Sequence, residues 1–491
     1  MKIKIISLVA LTLIISRNDC TASDLVYGPY EVGFESFKIY DDSRPYFLGE
    51  DTIDRPLLIH FWYPSQEKIK APFLEFKHYI DLIAVREDYG KSASEIEKNS
   101  FNYVNAYSDF AKRSFGLDTG IHTLQILDAP VSARSGIFVQ KNVPKFPLLI
   151  YAPSNSKSSV QNHMICEYLA SHGFMILSVA SAGPNSIRRE DMEESIMAQV
   201  MDMEYILNYC EDSLHIKYTT LGLFGFSSGG LANTIFQMRN KNVGAVFSMD
   251  GGQEYGAYSA LYKMADFNLQ KTQVPYCSVI NNYENFSIYP LYNSVITSNK
   301  YMFQMPYLDH NGFVSYWRFF DSCSPDSMIN KVGISYDYMS ECALGFFSKF
   351  LKPGPSLDFN TFVGGLDKEY IQAASQNNSR ITLLCNTLLD NNLDAAARLA
   401  NDHKTELFAE ATQINILARM FIDKNIDLAI WLYLNNVEIH PDSWQAHYDL
   451  GYVYKGKREI LLAQKELLKA KELNPENTDI ANLLNEVNQL E

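Results

Sequence analysis

Thr219-Thr220-Leu221-Gly222-Leu223-Phe224-Gly225-Phe226-Ser227-Ser228-Gly229-Gly230 is an apolar run that breaks into small residues and resumes as Leu231-Ala232-Asn233-Thr234-Ile235-Phe236. The order reads as strand, sharp turn and helix, with one serine at the turn. Within it, Gly225-Phe226-Ser227-Ser228-Gly229 fits Gly-x-Ser-x-Gly, in which a strained turn lifts the serine hydroxyl above a sheet and the glycines avoid Cβ clashes. Ser227 is therefore the candidate nucleophile. The five-residue pattern is short, so its weight comes from the strand before it, the helix after it, and the acid and histidine that follow in sequence.

Working outward, Phe146-Pro147-Leu148-Leu149-Ile150-Tyr151 is nearly all apolar, as a parallel strand covered on both faces should be. It ends in the small polar loop Ala152 to Ser158. A helix through Met164 to His172 stops at Gly173, and Phe174 to Ala180 is the next strand, followed by an amphipathic helix from about Met192 to Cys210. Beyond the elbow, strands are expected at Val243 to Ser248, Tyr276 to Ile280 and Tyr301 to Met305. Such alternation predicts an α/β fold with a doubly wound, mostly parallel sheet whose reactive loops lie at the carboxyl ends of its strands. On the amino side, Glu31 to Tyr40 and Arg55 to Pro64 read as two earlier strands. Residues 65–142 carry helical patterns at Phe76 to Ile83 and Asn102 to Phe110, a helical insertion that reads equally as a lid or as an extra packing layer.

A serine hydroxyl is a weak nucleophile until a base removes its proton, and the base must be held by a third group. His310, in Tyr307-Leu308-Asp309-His310-Asn311-Gly312-Phe313, follows the last strand, where a base would be placed. His403, His440 and His447 fall in a helical region and are set aside. For the acid, Asp250 closes the strand Val246-Phe247-Ser248-Met249 and precedes Gly251-Gly252; Glu284, after the next strand, is its rival. Asp309 is too near His310 in sequence to face it easily. The oxyanion needs fixed donors, expected from the N–H of Ser228 and, from the loop after Tyr151, that of Asn155.

The chain has 491 residues, more than one hydrophobic core usually fills, so two or three domains are expected. Hydrophobic residues at 47% with charged residues at 20% describe a globular protein rather than a disordered one. A net charge of -15 argues against a nucleic-acid partner, whose phosphates it would repel. Residues 1–22 place Lys2 and Lys4 before an apolar stretch and read as a secretory signal peptide cleaved after Ala22, which implies export to a periplasmic or extracellular location. Cys20 offers a less favoured lipid anchor, because Arg17-Asn18-Asp19 makes a poor lipoprotein box. No later segment is apolar enough to span a membrane. The other six cysteines show no metal-ligand spacing. Buried free thiols are the favoured reading over a disulfide, for which Cys323 with Cys342 is the nearest pair.

From about Asp367 every pattern is helical, giving an all-α carboxyl-terminal region over 367–491. Pro441 and Pro475 are 34 residues apart, as are Ala429 and Ala463, and Tyr433 and Leu467. That is the tetratricopeptide period, and it suggests a protein-binding surface. Leu450-Gly451, Tyr454, Ala463, Ala470 and Pro475 match one repeat; a degenerate unit around Thr382 to Ala400 and a closing helix around Asp479 to Leu490 would cap the stack.

Several motifs taken together resemble a known family. Gly28-Pro29-Tyr30, Asp42-Ser43-Arg44, Arg55-Pro56-Leu57 with Trp62-Tyr63-Pro64, Pro147-Leu148-Leu149-Ile150, Leu169-Ala170-Ser171-His172-Gly173-Phe174 and the elbow look like plasma-type platelet-activating-factor acetylhydrolases and their bacterial, dienelactone-hydrolase-like relatives, over about residues 26–352. The resemblance implies an α/β-hydrolase fold and a calcium-independent serine esterase that removes short acyl groups without metal or organic cofactor. It also implies Asp250 rather than Glu284 as the acid. Two positions depart from the family: Pro153-Ser154 stands where its oxyanion loop usually reads His-Gly, and Phe226 replaces a histidine in the elbow. The whole reads as an exported hydrolase of small-molecule or lipid esters with a helical repeat attached. The alternative is a catalytically weak scaffold acting through its repeats.

Overall fold

The computed structural model describes residues 25–490 apart from 66–68, 86, 116–125, 137–145, 156, 187–190, 256–257, 269–270, 273, 282–290, 293–294, 296–297, 324–326, 353, 355–357, 374–383, 385–386, 389–391, 410, 420 and 423–424. The leader reading, Cys20 and Glu284 all lie outside the described residues.

Among the described residues eleven strands, numbered in chain order, form one mixed sheet in the order β11-β10-β9-β8-β7-β5-β6-β2-β1-β4-β3. Its centre is the parallel set β5 (Leu148–Ala152), β6 (Met175–Val179), β7 (Leu221–Phe226), β8 (Val243–Met249), β9 (Tyr276–Ile280) and β10 (Lys300–Gln304). All residues of β5, β6, β7 and β9 are buried, which is why these strands read as unbroken apolar runs. Helices α3 (His163–Ser171), α4 (Met192–Asp212), α5 (Ser228–Arg239) and α8 (Ser327–Leu351) follow the strand alternation and cover the sheet, with the shorter α6 (Tyr258–Lys263) and α7 (Ser315–Cys323) before α8 and α9 (Phe359–Gly364) after it. Gly222 lies beneath α8: a Cβ there would stand 2.5 Å from a Leu351 methyl, so the helix can approach this closely only over glycine. The architecture is α/β with a mostly parallel sheet, followed by a helical carboxyl-terminal region.

The two amino-terminal strands run much further than their apolar cores. β1 (Glu31–Leu48) and β2 (Asp51–Ser65) pair antiparallel from Glu31↔Ser65 to Leu48↔Asp51, with a bulge between Asp41 and Pro45. Inside the bulge the Asp41 carboxylate accepts from the Ser43 N–H at 3.0 Å, the Ser43 hydroxyl at 2.6 Å and Arg44 Nε at 2.6 Å, which satisfies a backbone the ladder no longer pairs. Arg55 and Asp202 form a buried bidentate pair at 2.6 Å, tying β2 to α4, and Arg55 also donates to Pro184 O at 2.8 Å. Further in, β2 lies antiparallel to β6. Here His60, fully buried, shares a hydrogen bond of 2.5 Å with Ser159, in the 3-10 turn Ser159–Asn162 that precedes α3.

The insertion is only partly helical. The expected helices are α1 (Phe76–Ala84) and α2 (Ala93–Phe115), but β3 (Phe73–Glu75) and β4 (Pro130–Ser135) extend the sheet past β1 on either side of them. A buried carboxyl fixes this layer. Glu167 on α3 accepts from Tyr79 Oη at 2.7 Å and from the Ser132 N–H at 3.1 Å, while Trp62 Nε1 donates to Tyr79 Oη at 2.8 Å. Burial pushes Glu167 up to about 8 despite the donors around it.

At the other edge, Gln372–Ala373 forms β11, antiparallel to β10, so the segment expected to be wholly helical from about Asp367 lends two residues to the sheet. Beyond it come α10 (Leu393–Asp402), α11 (Lys404–Leu407), α12 (Ala411–Arg419), α13 (Ile426–Ile439), α14 (Trp444–Gly456), α15 (Ile460–Leu473) and α16 (Thr478–Asn488). α13 and α15 are both 14 residues long and start 34 residues apart, as do α14 and α16. Gly451 lets α14 meet α15 closely, since a Cβ there would lie 2.7 Å from Leu467 Cγ. Cys342 is a buried free thiol, so it does not pair with Cys323; Cys166, Cys210 and Cys277 are likewise buried and free. Among the described residues no helix is long and apolar enough to cross a membrane.

Candidate active site

Strand β7 ends at Phe226 and α5 begins at Ser228, leaving Ser227 alone to turn the chain. Its φ of 57° is a conformation that side-chain-bearing residues avoid, and it is held by contacts on both sides. The Ser227 N–H donates to Met249 O at 3.1 Å, and Ser227 O accepts from the Gly230 and Gly252 N–H groups, both at 3.0 Å. The flanking glycines are required by space. A Cβ on Gly229 would lie 2.0 Å from Ala152 O, and one on Gly225 would lie 2.5 Å from Asn233 Nδ2. The result is a half-buried serine whose hydroxyl stands at the carboxyl edge of the parallel strands.

The next strand carries the acid candidate to the same edge. Asp250 follows β8 with a φ of 47° and a fully buried carboxylate. One oxygen accepts from Tyr255 Oη and from the Asn281 N–H at 3.0 Å; the other accepts from Asn281 Nδ2 at 3.0 Å. That second oxygen also faces His310 Nδ1 at 2.5 Å. A carboxylate only accepts, so Nδ1 carries the proton and Nε2 is left as an acceptor. Nε2 lies 3.0 Å from Ser227 Oγ, whose hydroxyl can donate to it.

His310 opens a 3-10 turn, His310–Phe313, after β10, with its ring half-exposed. Asp309, its sequence neighbour, accepts from the Gly312 N–H at 2.8 Å and so caps the turn that carries the imidazole rather than facing it. Phe226 lies against the imidazole with ring centroids 4.9 Å apart, and it also stacks with Phe313 at 6.4 Å. Residues 227, 250 and 310 are thus brought together at one edge of the sheet.

The donor side departs from expectation. Asn155 does reach the elbow, but its N–H donates to the Ser228 side-chain Oγ at 2.5 Å. The second expected oxyanion donor is in place yet directed at a neighbouring hydroxyl. Sequence reasoning missed Tyr255 and Asn281, the two residues that hold Asp250. The Gly251-Gly252 turn was the available signal for the first, since it sends the chain back toward Asp250. Among the described residues, no group of three or more His, Cys, Asp or Glu is arranged to hold a metal ion.

Comparison with known proteins adds little to this geometry. No family model matches the chain, and no curated protein does. Among solved structures, a ferulic acid esterase from Streptomyces cinnamoneus is similar at 14% identity and a TM-score of 0.46, over 72% of this chain and 100% of that one.

Proposed function

We propose that this chain is a serine hydrolase of carboxylic esters with an α/β-hydrolase fold. The observation that carries the reading is the unbroken run from Ser227 Oγ to His310 to the buried Asp250, with a strained serine at the mouth of the sheet. The strand order supports it too, with an antiparallel pair leading into six parallel strands and the nucleophile after a central one.

In the mechanism, Ser227 Oγ attacks the ester carbonyl as His310 Nε2 takes its proton. Asp250 holds the imidazole in the reactive tautomer and stabilises its charge. The tetrahedral oxyanion is received by the Ser228 N–H and by the Asn155 N–H once Ser228 Oγ turns aside. Collapse breaks the bond to the leaving alkoxide, which takes the proton from His310 Nε2 and departs as the alcohol. Water then repeats the cycle on the acyl-enzyme and frees the acid. Carboxylic esters are the proposed substrates, short-acyl and phospholipid-like ones among them, and export through residues 1–22 would place the enzyme outside the cytoplasm. The 34-residue helix spacing supports a tetratricopeptide-type stack that binds a protein partner.

Turnover of 4-nitrophenyl acetate and covalent labelling by a fluorophosphonate test the reading, each compared with Ser227→Ala. Labelling that persists in the variant, or its absence from the native protein, favours the scaffold alternative.

A further inference from the structure

The loop leaving β5 has two ends with different neighbours. At one end Asn155 touches Ser228 beside the nucleophile. Three residues later the same loop becomes the wall of a cavity of about 300 Å³, closed on its other side by the insertion. Ile80, Ile83 and Ala84 of α1 give it an apolar wall. Asn99 and Tyr103 of α2, with Lys157, Ser158 and Gln161 of the loop, give it a polar one. That volume sits at the small end of the range in which ligand pockets fall, about 300–1,000 Å³.

Two features show which chemistry would fill it. Ser158 is only 2% exposed, and its hydroxyl has no hydrogen-bond partner among the described residues. A buried hydroxyl left unpaired is destabilising, and a ligand atom that hydrogen-bonds to it would relieve that cost. Among the described residues the lining contains one cation, Lys157, and no acid. An amphipathic group fits such walls: an apolar chain along α1, ending in an acceptor-rich, negatively charged group toward Lys157 and Ser158. The polar wall is braced, because Gln161 Nε2 donates to Tyr103 Oη at 2.6 Å and to Tyr107 Oη at 3.1 Å, locking loop to insertion.

We propose that this cavity is a subsite for the arm of an ester substrate that carries an apolar body and a terminal carboxylate. The inference rests on the esterase reading, since the shared loop is what joins the cavity to Ser227. It gives the insertion a role in selecting substrates.

The test compares three 4-nitrophenyl esters: the acetate, the octanoate, and the monoester of suberic acid, which matches the octanoate in length and adds a carboxylate. The native enzyme should favour the suberate monoester over the octanoate in kcat/KM. Lys157→Gln and Ser158→Ala should each lower that preference about tenfold. Ala84→Phe, which fills the cavity from the α1 side, should lower kcat/KM for both long esters relative to the acetate. Unchanged ratios in all three folded variants overturn the proposal. If the native protein hydrolyses no ester and takes up no fluorophosphonate, it is the esterase reading that has failed. Calorimetric titration with suberate then decides the cavity by itself: binding lost in Ala84→Phe sustains it, and no binding to the native protein refutes it.

Discussion

Among the described residues are two serine–histidine pairs, and they differ in everything except contact. Ser159 and His60 meet at 2.5 Å, both fully buried, with no partner for His60 Nε2 among the described residues. Burial drives the His60 imidazole down to about 3, so it stays neutral, but no carboxylate orients it. Ser227 and His310 meet at 3.0 Å in a half-open position, with a buried carboxylate behind the imidazole and a strained backbone beneath the serine. Proximity of a hydroxyl to an imidazole is thus not enough. What separates the pairs is access for a carbonyl and a third group that fixes which nitrogen is free.

Exchanging the serines should break this comparison most sharply. Ser227→Ala is expected to lower kcat on 4-nitrophenyl acetate by about 10⁶-fold, the scale seen when a triad serine is removed. Ser159→Ala should leave kcat within about twofold, while leaving His60 Nδ1 unpaired should cost about 1–3 kcal/mol in urea unfolding. Next in size, Asp250→Asn should lower kcat about 10⁴-fold through the wrong tautomer. Tyr255→Phe, which removes one donor from that carboxylate, should cost about tenfold in kcat, with KM little changed.

The smallest effects are in stability against pH. The folded protein binds a proton at His60 only near pH 3, whereas the unfolded chain does so near 6.5, so the contribution of this residue falls as pH drops through that window. His60→Gln should shrink the loss of stability between pH 6.5 and 4.5 by about 2 kcal/mol, read from urea midpoints. Glu167 has the opposite sign. Its folded value of about 8 exceeds the ordinary 4.5, so its contribution is complete at acid pH and declines as pH rises through 8. Glu167→Gln should flatten that decline.

The central strands were legible because burial on both faces demands unbroken apolar runs, as in Leu148 to Ala152 and Leu221 to Phe226. Ser227 and Asp250 were legible as candidates because each directly follows a strand, and His310 because it lies in the loop after the strand Lys300–Gln304, at the edge where side chains can converge. Other features were hidden for physical reasons. Strands of two or three residues, such as Gln372–Ala373 and Phe73–Glu75, carry too few side chains to show alternation. The first strand was expected to end at Tyr40, yet the charged run Asp41-Asp42-Ser43-Arg44 forms a bulge that lets β1 continue to Leu48. Asn281 holds Asp250 through its own backbone and amide across 31 residues, a contact with no periodic trace. The diversion of the Asn155 N–H depends on one rotamer of Ser228, which no sequence pattern encodes.

The long hairpin sets an order of events for the nascent chain. Residues 31–65 can zip together as soon as they are made, but the face of β2 that meets β6 waits for residues 175–179, and the Tyr79 anchor waits for Glu167. For more than a hundred residues of synthesis, an apolar edge stands complete and uncovered, the condition under which chains stick to one another or to a chaperone. Shortening that interval, for instance by circular permutation that brings β6 nearer to β2, should raise the yield of refolding without touching the chemistry at Ser227.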